Sequence, residues 1–144
     1  MTRQEAKRII LSEFISEFNE TTPVNLTNQD EFYLCTSPLT PVQKPSDAPW
    51  VRFMVMNTTT VQRTLGLAPA RRWRRYGMIT AMIFVPDGEG TKRGDALCEE
   101  ICNIFEGERI QNINFEQCVY EEIANNNGWF QWDLTIYWWF DESK

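Results

Sequence analysis

YGMITAMIFVPDGEGTKRGDALCEEICNIF, residues Tyr76–Phe105, is the stretch that decides the fold. Its first third, Gly77–Val85, is apolar at both alternating sets of positions, which predicts a central strand covered on two sides. Pro86 cannot donate a hydrogen bond to a neighbouring strand, and the glycines after it predict a tight turn. The remainder has apolar residues at helical spacing, with Thr91 as a candidate N-cap and Gly107 as a candidate C-terminal stop. The stretch therefore predicts a buried strand, a turn and an amphipathic helix.

A second helix is predicted at the start of the chain, from Thr2 to Phe18. Thr2 and Glu5 have the spacing of a capping box, and the apolar residues that follow share one face. Between this helix and the central strand, Val24–Leu26 and Glu31–Cys35 are each compatible with a short strand. Thr36–Pro49 carries four prolines and is predicted to be an extended surface loop.

Three further strands are predicted around the central one. Trp50–Asn57 precedes it, and Phe115–Ala124 and Trp129–Phe140 follow the second helix. In the last of these strands the even-numbered residues are all apolar, so we expect the even-numbered face to be buried under the helices. The turn before it, from Asn125 to Gly128, is rich in residues that adopt positive φ angles.

This order of elements predicts the fold class. We expect an α+β fold with a four-stranded, mainly antiparallel sheet and helices packed on one face, in the order α-β-β-α-β-β. A chain of 144 residues suits one domain, so residues 1–144 are interpreted as a single domain. A long arm, residues 58–75, is expected to protrude between the first two strands, because so long a connection in a compact domain is usually functional or disordered.

The arm contains the most unusual cluster in the chain. Arg71, Arg72, Arg74 and Arg75 surround Trp73 and account for four of the 14 basic residues. The first interpretation is a protein interface with Trp73 as its anchor, because Trp and Arg dominate binding hot spots. The second is a solvated loop without a partner, and the third is a nucleic-acid contact in which Trp73 stacks on a base. The interface is favoured because the rest of the chain is acidic and offers partners for self-association.

Composition restricts the chemistry that the chain can perform. The formal net charge is −6 and the pI about 4.7, so nonspecific binding to nucleic acid or to anionic membranes over the whole surface is not expected. Histidine is absent from the sequence, and the paired carboxylates lie in turns or on polar faces, so we predict no enzyme, no catalytic residue and no cofactor. No apolar run approaches a membrane span, and the N-terminus lacks the apolar core of a signal peptide.

Four cysteines occur, Cys35, Cys98, Cys102 and Cys118. Cys98 and Cys102 are one helical turn apart, where a disulfide is hard to form, so both are interpreted as small buried apolar residues. Without histidine or a CxxC motif, a metal site is not predicted. A reducing cytosol is the expected site of synthesis.

Several short motifs resemble the tail terminator and tail-completion (head–tail joining) proteins of long-tailed bacteriophages. The resemblance covers most of the chain and is strongest between residues 49 and 105. Its motifs are Pro49-Trp50-Val51-Arg52, Thr64-Leu65-Gly66, Arg75-Tyr76-Gly77, Pro86 and Gly90, then a helix ending in Phe105, with Pro23-Val24, Asn28 and Phe32 upstream and Asn127-Gly128-Trp129 downstream. The proline-rich stretch and the density of arginines in the arm depart from the usual pattern.

The resemblance implies a structural virion protein of the tail or neck, assembled in the host cytoplasm. It implies a homo-oligomeric ring, usually of six subunits, that caps the tail tube and contacts the tube protein and the head–tail connector, with DNA passing through the ring. The expected oligomer interface is the arm, through Thr59, Arg63, Leu65, Arg71, Arg72, Trp73, Arg74 and Arg75. The alternatives are another neck or minor tail protein, or a small nucleic-acid-binding domain that uses Arg71–Arg75.

Overall fold

A computed structural model describes residues 1–21, 25–26, 50–86, 92–126 and 128–144. The predicted strand at Glu31–Cys35, the proline-rich loop, Thr91 and the turn before it lie outside the described residues. The elements are α1 (Arg3–Thr21), β1 (Asn25–Leu26), β2 (Trp50–Gln62), β3 (Arg72–Pro86), α2 (Lys92–Phe105), β4 (Arg109–Ile110), β5 (Ile113–Asn126) and β6 (Trp129–Ser143).

The strands form one sheet in the order β1-β2-β3-β6-β5-β4. β3 and β6 are antiparallel neighbours at its centre, paired from Arg72 opposite Ser143 to Pro86 opposite Trp129. β2 and β5 flank them in antiparallel pairing, and β1 adds a short parallel edge to β2. No helix among the described residues has the length and apolarity that a membrane span needs.

The predicted four-stranded sheet with helices packed on one face is wrong. The molecule is mostly sheet, with five antiparallel strands curled into a half-barrel and two helices. The four long strands have 13, 15, 14 and 15 residues, more than twice the usual length, and right-handed twist accumulates along and across such strands. The two extra strands, β1 and β4, have two residues each, too few to produce a periodic pattern in the sequence.

The start of α1 and the end of α2 lie where the sequence predicts them, whereas α1 continues to Thr21, three residues beyond the predicted end at Phe18. At the start of α1 the Thr2 backbone N–H donates to Glu5 Oε2 at 2.7 Å, and the Glu5 backbone N–H donates to Thr2 Oγ1 at 3.1 Å. This confirms the capping box. The α2 helix ends at Phe105, and Gly107 has a φ of +71°, the left-handed conformation expected of a glycine that follows a helix.

Burial alternates along the two central strands. In β6 the even-numbered residues from Trp132 to Phe140 are buried, which confirms the predicted inner face. In β3 the odd-numbered residues from Arg75 to Val85 are buried, whereas the even-numbered ones are only half-buried. The prediction that β3 is covered on both sides is therefore wrong. Its outer positions include Met78 and Met82, and an apolar side chain at such a position does not by itself imply burial.

A row of aromatic rings joins the helices to the sheet. Phe14 of α1 stacks on Phe53 of β2 with ring centroids 3.8 Å apart, and Phe18 lies 4.9 Å from Phe14. On the other side Phe105 of α2 lies 6.2 Å from Phe53 and 5.1 Å from Phe115 of β5. Such offset and tilted pairs add to the stability that area burial provides. One continuous core therefore includes α1, β2, α2 and β5.

Two of the four cysteines are paired with each other, which the sequence analysis did not predict. Cys102 of α2 is paired with Cys118 of β5 in a disulfide, with their Cα atoms 5.6 Å apart. The interpretation of Cys102 as an unpaired apolar residue is therefore wrong, because its partner lies on a strand and is brought near only by the fold. Cys98 is a free, buried thiol, and burial together with the nearby Asp95 raises its pKa to about 12. This thiol is unreactive at neutral pH.

Candidate protein-interaction site

The arm, residues 58–75, continues β2 and β3 beyond the core, and β6 still pairs with β3 there as far as Arg72 opposite Ser143. Side chains of β2 are buried at alternate positions up to Val55, and exposed ones predominate from Asn57 onward. An irregularity in the pairing between Asn57 and Thr60 marks the transition. The pairing then resumes to Gln62 opposite Trp73, so the arm is held by backbone hydrogen bonds without a buried core of its own.

The arm tip, residues 63–71, is closed by a small set of hydrogen bonds. The Arg63 backbone N–H donates to the Arg72 carbonyl at 2.8 Å, and the Arg72 backbone N–H donates to Thr64 Oγ1 at 2.9 Å. Gly66 has a φ of +144°, a conformation that favours glycine. The tip presents two leucines to solvent, Leu65 at 100% and Leu67 at 87% of full exposure. Ordered apolar side chains this exposed are typical of binding surfaces when they lie together.

The arm base is held by two ion pairs within the chain. Arg74 Nε and Nη2 donate to the two carboxylate oxygens of Asp141 at 2.8 and 2.9 Å, and its guanidinium lies 3.5 Å from the Trp139 ring centroid. This bond raises the pKa of Arg74 and lowers the pKa of Asp141. Arg75 donates to Glu142 at 2.9 Å and to Thr60 Oγ1 at 3.2 Å. These two arginines are therefore engaged inside their own chain.

Trp73 lies between two arginines. The guanidinium carbons of Arg71 and Arg75 are each 5.9 Å from the Trp73 ring centroid, within cation–π range. Arg71 Nε and Trp73 Nε1 are buried and have no hydrogen-bond partner among the described residues. Buried donors of this kind usually find a partner, so this flank of the arm has unused hydrogen-bonding capacity.

The structure brings most of the predicted interface residues into one protruding element. Trp73, Arg74 and Arg75 cluster at the base, Arg63, Leu65 and Arg71 lie at the tip, and Thr59 and Arg72 are exposed on β2 and β3. Whether they form an oligomer interface stays a prediction. Sequence reasoning missed Leu67, although the pattern Leu-Gly-Leu at a turn carried the signal of a second exposed leucine.

A groove with a volume of about 630 Å³ lies between α1 and α2. Its lining has three apolar residues, Ala96, Ile104 and Ile110, and six polar ones: Glu13, Glu17, Glu99, Glu100, Glu108 and Asn103. The sequence places Glu99 and Glu100 side by side on α2. It did not indicate Glu13 or Glu108, because only the packing of α1 against α2 brings these residues beside the other two.

A smaller cavity of about 440 Å³ lies at the arm base, with Arg72, Arg109 and Trp139 among its lining residues. Arg109 Nη2 donates to Asn112 Oδ1 at 3.1 Å in the turn between β4 and β5. Gln111 and Asn112 both have positive φ, as tight two-residue hairpin turns require. In the described part of the chain, no three potential metal-binding side chains lie together.

The fold and the sequence have been compared with known proteins. One solved structure matches all of the chain and 98% of its own length, with a TM-score of 0.68 at 11% identity, a level that establishes the shared fold alone. No curated protein is similar to the chain at a significant level. The family model described as phage tail terminator protein matches residues 26–138, well over half of the chain and including the arm. The chain therefore belongs to the phage tail terminator protein family.

Proposed function

We propose that the protein forms a homo-oligomeric ring, of six subunits as is usual in its family, that caps the tail tube and helps join the tail to the head. Membership of the family already makes it a structural component of the virion tail that associates with other tail proteins. The family is structural and is not known for catalysis. Ring formation, capping and joining are the parts that need an experiment.

The observation that carries the proposal is the arm. The tip of the β2–β3 hairpin extends beyond the last paired residues of the sheet, and its two leucines are 100% and 87% exposed. Two leucines exposed to water on an ordered turn do not stabilise an isolated subunit, whereas their burial by a neighbouring subunit would stabilise an assembly. A contact between an arm and a different surface of the next subunit is head-to-tail, and such contacts close into rings when the rotation allows it.

Sedimentation velocity and negative-stain electron microscopy of the purified protein test the ring. We expect a single assembled species with a central opening at micromolar concentration. A monomer at every concentration and at both low and high salt would refute the ring. Capping is tested separately, by adding the protein to tail tubes in assembly: tubes should stop growing and carry density at one end, and tubes that continue to grow would refute capping.

The alternative function, a nucleic-acid-binding domain that uses Arg71–Arg75, makes a different prediction. Arg74 and Arg75 already bind Asp141 and Glu142, which leaves fewer cations for phosphates. If the alternative held, the protein would bind duplex DNA with an affinity that falls steeply with salt. Replacing Arg71 and Arg72 by alanine would then abolish DNA binding without changing the oligomer mass. The ring proposal predicts no such DNA binding by the free subunit.

A further inference from the structure

The arm tip and the helix groove carry opposite charges. Residues 58–75 contain five arginines and no acid, and Arg63, Arg71 and Arg72 remain after the two ion pairs at the arm base. Among the described residues that line the groove, five are glutamates and none is a cation, and two of the five, Glu17 and Glu100, already have partners within the subunit. In a chain of net charge −6, five of the 14 basic residues thus lie in the arm and five of the 20 acidic residues line the groove. Surfaces of opposite charge attract each other and fix orientation when they meet.

The two surfaces also match in their apolar parts. The tip presents Leu65 and Leu67 close to Arg63, and the groove lining includes the half-buried Ile104 and Ile110. Ile104 and Ile110 are partly exposed although they pack against the core. Leucines that enter the groove would cover these isoleucines while the arginines reach the glutamates at its rim. An apolar centre surrounded by charged residues is the usual anatomy of a protein interface.

In its own subunit the arm tip extends away from the parts of α1 and α2 that line the groove. Trp132, which pairs with Ile83 of β3, donates from Nε1 to Asp95 in the first turn of α2. At the other end of α2, Phe105 packs on Phe115. Phe115 pairs with Trp138, which in turn pairs with Gly77 of β3. α2 therefore lies alongside the part of β3 between Ile83 and Gly77, and Ile110 of the groove lies in β4, which β6 and β5 separate from β3 in the sheet. The arm begins at Asn57, which pairs with Gly77, and continues away from Ile83 to Gln62. This adds a distance of roughly 17 Å at 3.4 Å per residue. Folding back would break the paired hairpin.

We infer that the arm tip of one subunit inserts Leu65 and Leu67 into the groove between α1 and α2 of a second copy of this chain, with Arg63, Arg71 and Arg72 facing its glutamates. This rests on the proposed ring and specifies its interface. Because the tip and the groove are different surfaces, every subunit uses one of each, and the contact is head-to-tail.

The test uses two variants, each of which disables one side. The tip variant carries Leu65→Ser and Leu67→Ser, and the groove variant carries Glu99→Lys and Glu108→Lys. Matched controls are Val119→Ser, at an exposed apolar position on β5, and Glu116→Lys, at an exposed acid on the same strand. Each variant should keep the wild-type denaturant midpoint, because the changed side chains are exposed. Burial of a leucine corresponds to about a tenfold to hundredfold change in affinity, so the tip variant should be monomeric at concentrations where the controls assemble.

Mixing the two variants gives the decisive result. Each alone should be monomeric, but an equimolar mixture should form a one-to-one dimer and nothing larger, because only one intact tip and one intact groove can meet. The measurement is sedimentation velocity with the variants carrying different fluorescent labels. If the tip or the groove variant assembles like wild type, docking of the arm in the groove is overturned while the ring stands. If the wild type itself never assembles, the ring proposal fails and the inference fails with it.

Discussion

The two ends of the β2–β3 hairpin are built from the same strands but are stabilised in different ways. At the core end, β2 and β3 bury alternate side chains against aromatic rings of both helices, with Phe14 stacked on Phe53. At the arm end the same strands are held by backbone pairing, two ion pairs and a cation–π contact, and leucines point into water. The difference indicates that stability resides at the core end and that the arm end is available for binding. Four changes, in order of decreasing expected effect, test this division.

The largest loss of stability is expected for Trp132→Ala. This side chain is fully buried, packs against Gly94 of α2 and donates from Nε1 to Asp95 at 3.2 Å. Its removal should lower the free energy of unfolding by about 3–5 kcal/mol. The control is Gln131→Ala, a half-buried neighbour on the opposite face whose amide bonds to Asp133, which should be nearly silent. Equal effects in a denaturant melt would refute the assigned inner face of β6.

A comparable loss is expected on reduction of the Cys102–Cys118 disulfide, which links α2 to β5. Its two cysteines are 16 residues apart, and closing a loop of about this length contributes about 3 kcal/mol to the free energy of unfolding. Denaturant melts with and without dithiothreitol should therefore differ by roughly this amount. Cys118→Ser is the control, because its melt should not respond to the reductant. Identical melts of the wild type under both conditions would show that the two thiols are not paired.

Gly94→Ala should be destabilising although alanine is the better helix former. A Cβ at this position would lie 2.2 Å from the Trp132 ring, which is buried and cannot move aside. We expect a loss of about 1–3 kcal/mol from overpacking, against a propensity gain of at most about 1 kcal/mol. Asn103→Ala, an exposed position of the same helix, serves as the control and should be neutral or slightly stabilising. A stabilised Gly94→Ala variant would show that α2 does not approach Trp132 this closely.

The smallest effect is expected at the arm base, for Asp141→Asn. The Arg74 guanidinium holds the pKa of Asp141 below its usual value, so the ion pair stabilises the fold above the usual pKa of aspartate, about 3.9. This contribution is lost as the pH falls through the lowered pKa of the folded state. Because both side chains are partly exposed, we expect a loss of only about 0.5–1 kcal/mol at neutral pH.

A pH series of denaturant melts measures this contribution. The difference between the wild type and Asp141→Asn should shrink as the pH falls below about 3.9. Glu116→Gln, at an exposed position without an ion pair among those described, should show no comparable pH dependence. If Asp141→Asn lowered the free energy of unfolding as much as Trp132→Ala does, the arm base would contribute to stability as strongly as the core end. The proposed division between the two ends would then fail.

Much of this protein was determined by local sequence. The capping box of α1, the end of α2 before Gly107 and the buried even-numbered face of β6 all follow from spacings of a few residues, because caps and periodic burial depend on neighbours along the chain. The family, too, could be recognised from short motifs around the central strand, and the family model confirms it. The position of the arm between β2 and β3 was likewise visible in the sequence.

Other features were decided only by tertiary structure. The number of strands, the curl of the sheet, the pairing of Cys102 with Cys118 and the gathering of Glu13 with Glu99 each depend on segments that are far apart in sequence. No local pattern encodes such contacts, because they arise from the twist of long strands and from the packing of helices against them. The arginines of the arm show the same limit, since the sequence predicted their clustering but only the fold placed Asp141 and Glu142 beside two of them.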